Sequence, residues 1–171
     1  NVFKLCGLAI WCLITGLFVG MRPVQAADAV VGTGTPASCT EGAFDAALFT
    51  VQNGGGTITF NCGVEIRFIA FFADPNGKNI YTNVVINAAH KIVLNARNER
   101  RHFYVGDTGH LTLQNITLIN GKSSTIAGGS IYNVGTLTIT NSTLSDNSAS
   151  EAGGIYNDGT LTVNDSTLSG N

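Results

Sequence analysis

The feature that most constrains this chain is an internal repeat close to its end. Residues 129–147, GSIYNVGTLTITNSTLSDN, return at 153–171 as GGIYNDGTLTVNDSTLSGN. A weaker copy at 109–120 precedes the first, and the additional length between these two falls in the loop 122–127. The period is about 24 residues, and periods in this range are typical of stacked supersecondary units that bury their apolar faces against one another. The repeat therefore predicts a solenoid.

Apolar and polar residues alternate within each copy, for example at 137–139 (LTI) and 161–163 (LTV), and β-branched residues are common. This alternation predicts strands with one buried face. If the copies stack in register at the ~4.8 Å strand spacing, their apolar residues form a continuous core. The predicted columns are Leu111, Leu137 and Leu161; Leu113, Ile139 and Val163; and Leu118, Leu144 and Leu168.

Asparagines recur at the predicted corners between strands. Asn133 is expected to stack on Asn157, and Asn147 on Asn171, because such pairs form side-chain amide ladders that satisfy buried polar groups. A leucine-rich repeat has a similar period, but its motif needs a further leucine and a helical return segment, which 143–147 lacks. The predicted fold class is all-β, a right-handed parallel β-helix (β-solenoid) with a short N-terminal capping helix.

The capping helix is predicted by the region that precedes the repeats. Ser38 and Glu41 have the spacing of a capping box, and glycines at 54–56 would end the helix. Residues 57–61 (TITFN) alternate as a first strand. Between Glu41 and the glycines, apolar residues follow at i, i+3, i+4 and i+7, the spacing of one helix face: Phe44, Ala47, Leu48 and Val51.

The start of the chain is typical of a secretory signal peptide. An apolar run at 5–19 follows Lys4, and small residues at 24–26 (VQA) suit a signal peptidase. The run is shorter than the ~20 residues that a membrane-spanning helix needs, so an uncleaved anchor is the lesser alternative. Cleavage after Ala26 is preferred over cleavage after Ala29. Export predicts a secreted or cell-surface location, with no membrane span in the mature chain.

The charge and the cysteine content of the mature chain indicate which partners and which covalent links to expect. Removal of the signal leaves 7 basic and 11 acidic residues, and this net charge of −4 disfavours nucleic acid as a partner. Cys6 and Cys12 leave with the signal, and the remaining Cys39 and Cys62 are expected to form a disulfide in an exported protein.

The predicted organisation has four parts. The first two are the signal peptide at 1–26 and a cap at 27–63, made of one helix and a first strand. Irregular early coils follow at 64–105, and regular coils with a period of about 24 residues occupy 106–171. The chain begins with Asn and stops inside a repeat, so we expect truncation at both ends, including the last coil.

Two motifs in the repeats carry a resemblance to a known family. Two segments, Gly-Gly-Ser-Ile131 with its copy Gly-Gly-Ile155, and Leu-x-x-Asn ending at Asn147 or Asn171, resemble the GGA[ILV] and FxxN motifs of polymorphic outer-membrane protein repeats. The whole stretch after the signal is similar to secreted bacterial right-handed β-helix proteins of the pectin-lyase-like fold. The resemblance implies a secreted or cell-surface protein, for which a region beyond residue 171 that holds it in the outer membrane is one option.

Pectin-lyase-like folds include lyases and glycoside hydrolases, so an enzyme must be considered. Glycoside hydrolysis needs two facing carboxylates, ~5–5.5 Å or ~6.5–9.5 Å apart. No two acids of the repeat region are separated by one period, and all five are therefore expected to be solvated turn residues: Asp107, Asp146, Glu151, Asp158 and Asp165.

Three arginines and two tyrosines are the candidate ligand-binding residues. Arg97, Arg100 and Arg101 form a basic cluster at 97–102 that would suit a lyase base or an acidic sugar, although a solvated loop paired with Glu99 is the favoured interpretation. Tyr132 and Tyr156 follow inward-facing isoleucines, so both rings should face outward, one coil apart. Such rings can hold sugars or pack on each other, and mutual packing is favoured.

We therefore expect a non-enzymatic cell-surface or secreted scaffold with an adhesin-like role. The alternative is a polysaccharide lyase or glycoside hydrolase whose site lies outside this sequence, and the third interpretation is a carbohydrate-binding module. The expected partners are an extracellular polysaccharide or the surface of a host or neighbouring cell. No cofactor or metal is expected, because His90 and His110 stand singly, without the spaced partners of a metal site.

Overall fold

The structure is a computed structural model that describes residues 26–123 and 127–171. The predicted signal peptide at 1–26 lies outside this part of the chain except for Ala26. Within it, parallel strands wind into a β-solenoid of about five turns, accompanied by one α-helix, α1 (Glu41–Val51), and a 3₁₀ helix at Pro36–Ser38. The predicted all-β solenoid class with a short helix is confirmed.

The strands form three parallel sheets, in which each strand bonds to the equivalent strands of neighbouring coils. Sheet A contains β1 (Ala29–Val31), β2 (Gly56–Phe60), β5 (Asn83–Asn87), β8 (His110–Gln114), β11 (Thr136–Thr140) and β14 (Thr160–Asn164). Sheet B contains β3 (Arg67–Ala70), β6 (Ile92–Asn95), β9 (Thr117–Ile119), β12 (Thr143–Ser145) and β15 (Thr167–Ser169). Sheet C contains β4 (Lys78–Ile80), β7 (Phe103–Val105), β10 (Ile131–Asn133) and β13 (Ile155–Asn157).

The apolar core runs along the axis in the predicted register. Leu137 pairs with Leu111 on one side and Leu161 on the other, and the columns through Ile139 and Leu144 stack in the same way. Because Leu137, Ile139 and Leu144 have coils on both sides, all three are fully buried. The alternation of buried and half-buried residues in β11 follows from the period of two that a strand imposes.

Helix α1 buries the four apolar residues that its sequence pattern predicts, and they join the core of the coils. Its first turn differs from the predicted capping box. Thr40 is the N-cap and accepts a hydrogen bond from the Ala43 N–H at 3.2 Å, whereas Ser38 ends the preceding 3₁₀ helix and bonds to Thr35. With Thr40 as the N-cap, Glu41 is the first residue of the helix and not the third, so it does not form the box. Its carboxylate instead bonds to a residue of a later coil.

That residue is Lys78, which connects α1 to sheet C. Its ammonium nitrogen lies 2.8 Å from Glu41 Oε1, 2.8 Å from Asp45 Oδ1 and 3.3 Å from Asp74 Oδ2. Burial alone would lower the pKa of Lys78, but the hydrogen bonds to Asp45 and Glu41 outweigh it and raise the pKa above its usual value. For Glu41, burial opposes ionisation, yet the bonds from Lys78 and the Phe72 N–H leave its pKa lowered.

The predicted disulfide between Cys39 and Cys62 is confirmed. The two Cα atoms lie 5.6 Å apart, and both residues are buried in the core cluster. Cys39 directly precedes the N-cap of α1 and Cys62 follows β2, so the bridge connects the helix to sheet A across 23 residues of chain.

Candidate ligand-binding face

The outer face of sheet C carries a row of tyrosines. Tyr104, Tyr132 and Tyr156 occupy one register position on β7, β10 and β13. The centroids of the Tyr104 and Tyr132 rings are 5.7 Å apart at an interplanar angle of 24°, and those of Tyr132 and Tyr156 are 4.8 Å apart at 29°. We call these three residues the tyrosine row.

The row ends at β4, where the same register position holds Asn79 instead of a tyrosine. The next aromatic residue, Tyr81, lies two positions further along the chain, and its ring is tilted by 59° to that of Tyr104. Tyr81 packs against Gly106, where a Cβ atom would collide with the ring. The position beside Tyr104 that a fourth stacked ring would occupy is therefore not filled by an aromatic side chain.

A cleft of about 550 Å³ opens at this end of the row. Its lining combines aromatic rings, amides and one cationic side chain: Asn76, Asn79, Tyr81, Arg101, Tyr104, Tyr132 and Val134. A concave surface with aromatic walls and a few convergent polar groups has the composition of a small-molecule or sugar site.

Arg101 is buried at the edge of the cleft, although sequence reasoning favoured a solvated loop. Its Nε donates to the Gly128 carbonyl at 2.8 Å, and its Nη2 donates to the Ala127 carbonyl at 2.6 Å and to Ser123 Oγ at 3.1 Å. The guanidinium carbon lies 5.2 Å from the centroid of the Tyr132 ring. Burial lowers the pKa of Arg101, and nearby tyrosines oppose this shift.

The other two arginines of the basic cluster lie away from the cleft. Arg100 and Arg97 both pair with Glu99, at 2.7 Å and 3.7 Å, as the loop interpretation expects. Arg100 also donates to the Ala73 carbonyl, and Arg97 lies over the exposed Phe72 ring at 4.5 Å. The structure thus brings Arg101 to the tyrosine row and separates it from Arg97 and Arg100.

His102, the last residue of the cluster, is fully buried between coils. Its Nε2 donates to the Leu94 carbonyl at 3.1 Å, so its Nδ1 accepts the hydrogen bond from the Ser130 hydroxyl at 3.0 Å. Burial lowers the pKa of His102 to about 4, even though its backbone hydrogen bonds oppose the shift. A neutral imidazole with both nitrogens engaged has a structural role, and the solvated-loop interpretation is wrong for this residue too.

The acidic residues of the repeats lie on exposed corners. Asp146 and Asp165 have φ angles of 55° and 47°, in the left-handed region that Asp and Asn tolerate better than most residues. Asn141 takes the same conformation one coil before Asp165, with φ of 54°. Asp107, Glu151 and Asp158 are also exposed. The left-handed conformation of these corners explains why Asp occupies positions 146 and 165, and no catalytic role is needed to explain it.

Both predicted asparagine pairs are in contact. Asn133 Nδ2 donates to Asn157 Oδ1 at 2.6 Å, and Asn147 Nδ2 donates to Asn171 Oδ1 at 2.8 Å. Asn147 also accepts a hydrogen bond from the Gly121 N–H at 2.7 Å. Its side chain therefore bonds both to a backbone group and to the side chain of Asn171. These residues serve the corners of the coils and do not line the cleft.

Five residues that line the cleft were not singled out from the sequence: Asn76, Asn79, Tyr81, Tyr104 and Val134. A signal for Tyr104 was present, because 103–105 (FYV) has the same apolar–Tyr–x pattern as 131–133 (IYN) and 155–157 (IYN). Aligning 103–105 with the repeats would have extended the row by one coil. For Asn79 the sequence carries no such pattern.

No protein-family model, curated protein or solved structure matches this chain. The likeness to pectin-lyase-like proteins and to polymorphic outer-membrane repeats therefore rests on the repeat motifs alone, and the structure shows only the parallel β-solenoid fold. Across 26–123 and 127–171, no helix is long and apolar enough to span a membrane. The same residues contain no group of three His, Cys, Asp or Glu side chains placed to hold a metal ion.

Proposed function

We propose that the chain is a non-enzymatic β-solenoid scaffold of a secreted or cell-surface protein, and that the outer face of sheet C binds extracellular polysaccharide. The observation that carries this proposal is the tyrosine row together with the cleft at its end. In a scaffold that projects from a cell surface, such a face would provide adhesion to a polysaccharide coat. The Cys39–Cys62 disulfide is compatible with an extracellular location.

The chemistry of the face suits sugars. A pyranose presents C–H bonds on its apolar face, and these interact favourably with the electron-rich face of an aromatic ring. The hydroxyls at the ring edge need hydrogen-bonding partners, which Asn76 and Asn79 supply at the cleft. Because the row repeats once per coil, the outer edges of its rings also offer successive contacts to a polymer that runs along the solenoid axis.

The alternative, a lyase or hydrolase, has less support from the described residues. The acids of the repeats lie at exposed corners and not as a facing pair on the cleft. Arg97 and Arg100 are paired with Glu99, and the Arg101 N–H groups are directed to backbone carbonyls. None of the three arginines is presented as a free base beside the tyrosines.

The test measures binding of the exported, disulfide-bonded protein to cellulose, xylan, mannan, galactan, alginate and pectate by affinity electrophoresis. We expect binding to at least one polysaccharide, and loss of that binding in Tyr104→Ala/Tyr132→Ala. The matched control is Thr138→Ala/Thr162→Ala, because these residues lie on sheet A and do not line the cleft. Absence of binding by the unaltered protein to all six would contradict the proposal, as would release of new reducing ends or unsaturated products.

A further inference from the structure

The ring faces of the tyrosine row are largely occupied by the row itself. Tyr132 is stacked on both sides, with Tyr104 at 5.7 Å and Tyr156 at 4.8 Å between centroids. A sugar cannot insert between rings at these distances without separating two coils, because the ring spacing is close to the ~4.8 Å strand spacing. Only a ring face at an end of the row is accessible for stacking.

At the β4 end, the structure leaves a gap that is one coil high. Asn79 lies directly beside Tyr104 in the register of sheet C, and its side chain is shorter than those of the tyrosines that hold this position in the later coils. The tilted Tyr81 forms a side wall, with its centroid 6.2 Å from that of Tyr104. Asn79, Tyr81 and Tyr104 all line the cleft, and since Tyr132 and Tyr156 stack at 4.8 Å, a space one coil high accepts one ring beside Tyr104.

We propose that this gap, which we call the Tyr104 subsite, binds one neutral pyranose unit of the polysaccharide. The apolar face of the sugar stacks on Tyr104, its edge contacts Tyr81, and its hydroxyls hydrogen-bond to the amides of Asn79 and Asn76. This inference rests on the proposed function and makes it specific, since it places the sugar in the gap and not along the outer edges of Tyr132 and Tyr156.

The preference for a neutral sugar follows from the state of Arg101, the one charged side chain among the residues that line the cleft. Arg101 is 7% exposed, and its Nε and Nη2 donate to Gly128, Ala127 and Ser123. Its Nη1 lies 3.4 Å from the Asn76 carbonyl. A carboxylate would have to displace these acceptors to form a bidentate pair, so Arg101 positions Tyr132 and the adjacent loop and does not contact the sugar.

The Tyr104 subsite and binding along the row predict opposite results for two single variants. Asn79→Tyr places a fourth ring in the row and fills the gap, whereas Tyr156→Ala removes the ring furthest from the gap. For the Tyr104 subsite we expect Asn79→Tyr to weaken binding at least tenfold and Tyr156→Ala to change it less than twofold. Asn79→Ala keeps the gap open and removes one hydrogen bond, so we expect a loss of about fivefold.

The measurement is calorimetric titration with cellohexaose, xylohexaose, mannohexaose and galactohexaose, with oligomers of galacturonate and guluronate for comparison. Circular dichroism and thermal unfolding of each variant confirm that it is folded. Binding of a neutral hexasaccharide should be insensitive to 1 M NaCl, chosen because it reduces the screening length to ~3 Å. Binding lost with Tyr156→Ala and kept with Asn79→Tyr would overturn the subsite but leave the proposed function intact. Preference for the uronates would overturn the neutral-sugar assignment, and no binding by the unaltered protein would overturn both proposals.

Discussion

The Arg101 guanidinium lies over the Tyr132 ring, 5.2 Å from its centroid, and connects the neighbouring loop to the tyrosine row. A cation in this position is attracted by the negative face of the ring. The same group donates to the carbonyls of Ala127 and Gly128, which belong to the next coil along the axis. Arg101 therefore supplies hydrogen-bond donors to this segment from one side, while the Gly128 N–H bonds to the Glu151 carbonyl on the other.

Removal of the Arg101 guanidinium should destabilise the fold. In Arg101→Met the carbonyls of Ala127 and Gly128 lose charged donors inside the protein, and we expect the free energy of unfolding to fall by about 2–4 kcal/mol. The matched control is Arg97→Met, because Arg97 is exposed and should cost no more than about 0.5 kcal/mol. Urea unfolding followed by circular dichroism measures both. Equal effects of the two substitutions would contradict the structural role of Arg101.

Removal of the disulfide should destabilise the N-terminal part of the solenoid. Cys39 and Cys62 close a loop of 23 residues, and the chain-entropy model gives roughly 3 kcal/mol for a loop of this size. We expect Cys39→Ala/Cys62→Ala to unfold at correspondingly lower urea concentration and to expose 27–63 to protease before the repeats. Mass measurement after alkylation of the unreduced protein provides the control, since labelling of both thiols would show that no bridge forms.

The register of the repeats could be predicted because Leu137 and Leu161 are two copies of the same position in the sequence. Once strands alternate with a period of two, one correct pair determines which residues face the core. The sequence of β4 does not indicate in this way which residues face the core, because the buried first residue of β4 is Lys78. The carboxylates that make this burial tolerable belong to Glu41 and Asp45 in α1, far from Lys78 along the chain. Asn79 was missed together with the strand that carries it.

The burial of Arg101 was equally hidden in the sequence. A run of charges at 97–102 is typical of a solvated loop, and Arg97 follows that rule with an exposed side chain near Glu99. Arg100 also pairs with Glu99, but its side chain is only 12% exposed. Arg101 is buried instead, because its acceptors include backbone carbonyls. Every residue has a backbone carbonyl, so no residue type in the sequence indicates that one will accept a hydrogen bond from an arginine. Of the tyrosines at the cleft, only Tyr132 was singled out from the sequence, and the burial of Arg101 beside it could not be predicted.

The strand register is tested by two adjacent substitutions in β11. Leu137 is fully buried between Leu111 and Leu161, whereas Thr138 lies on the outer face between Thr112 and Thr162. Leu137→Asp places a carboxylate in the apolar core and should cost at least about 4 kcal/mol. Thr138→Asp should cost about 0.5 kcal/mol. Similar losses in thermal stability for the two variants would mean that the register is wrong.

Stability should fall as the pH is lowered from 6.5 towards 4, because of His102. In the folded protein the pKa of His102 is about 4, so its imidazole stays neutral, while the unfolded chain takes up a proton near its ordinary pKa of 6.5. The unfolded state therefore binds more protons in this interval, and we expect a loss of roughly 2–3 kcal/mol by pH 4.5. Glu41, whose pKa is lowered below its ordinary 4.5, stabilises the fold above that pH, and its contribution is lost only at more acidic pH. Urea unfolding between pH 7 and 4.5 measures the free energy of unfolding of each variant. It should fall with pH in the unaltered protein and in the control His90→Gln, since His90 is exposed. It should stay constant in His102→Gln. If the stability of His102→Gln still falls with pH, another titratable group must cause the pH dependence.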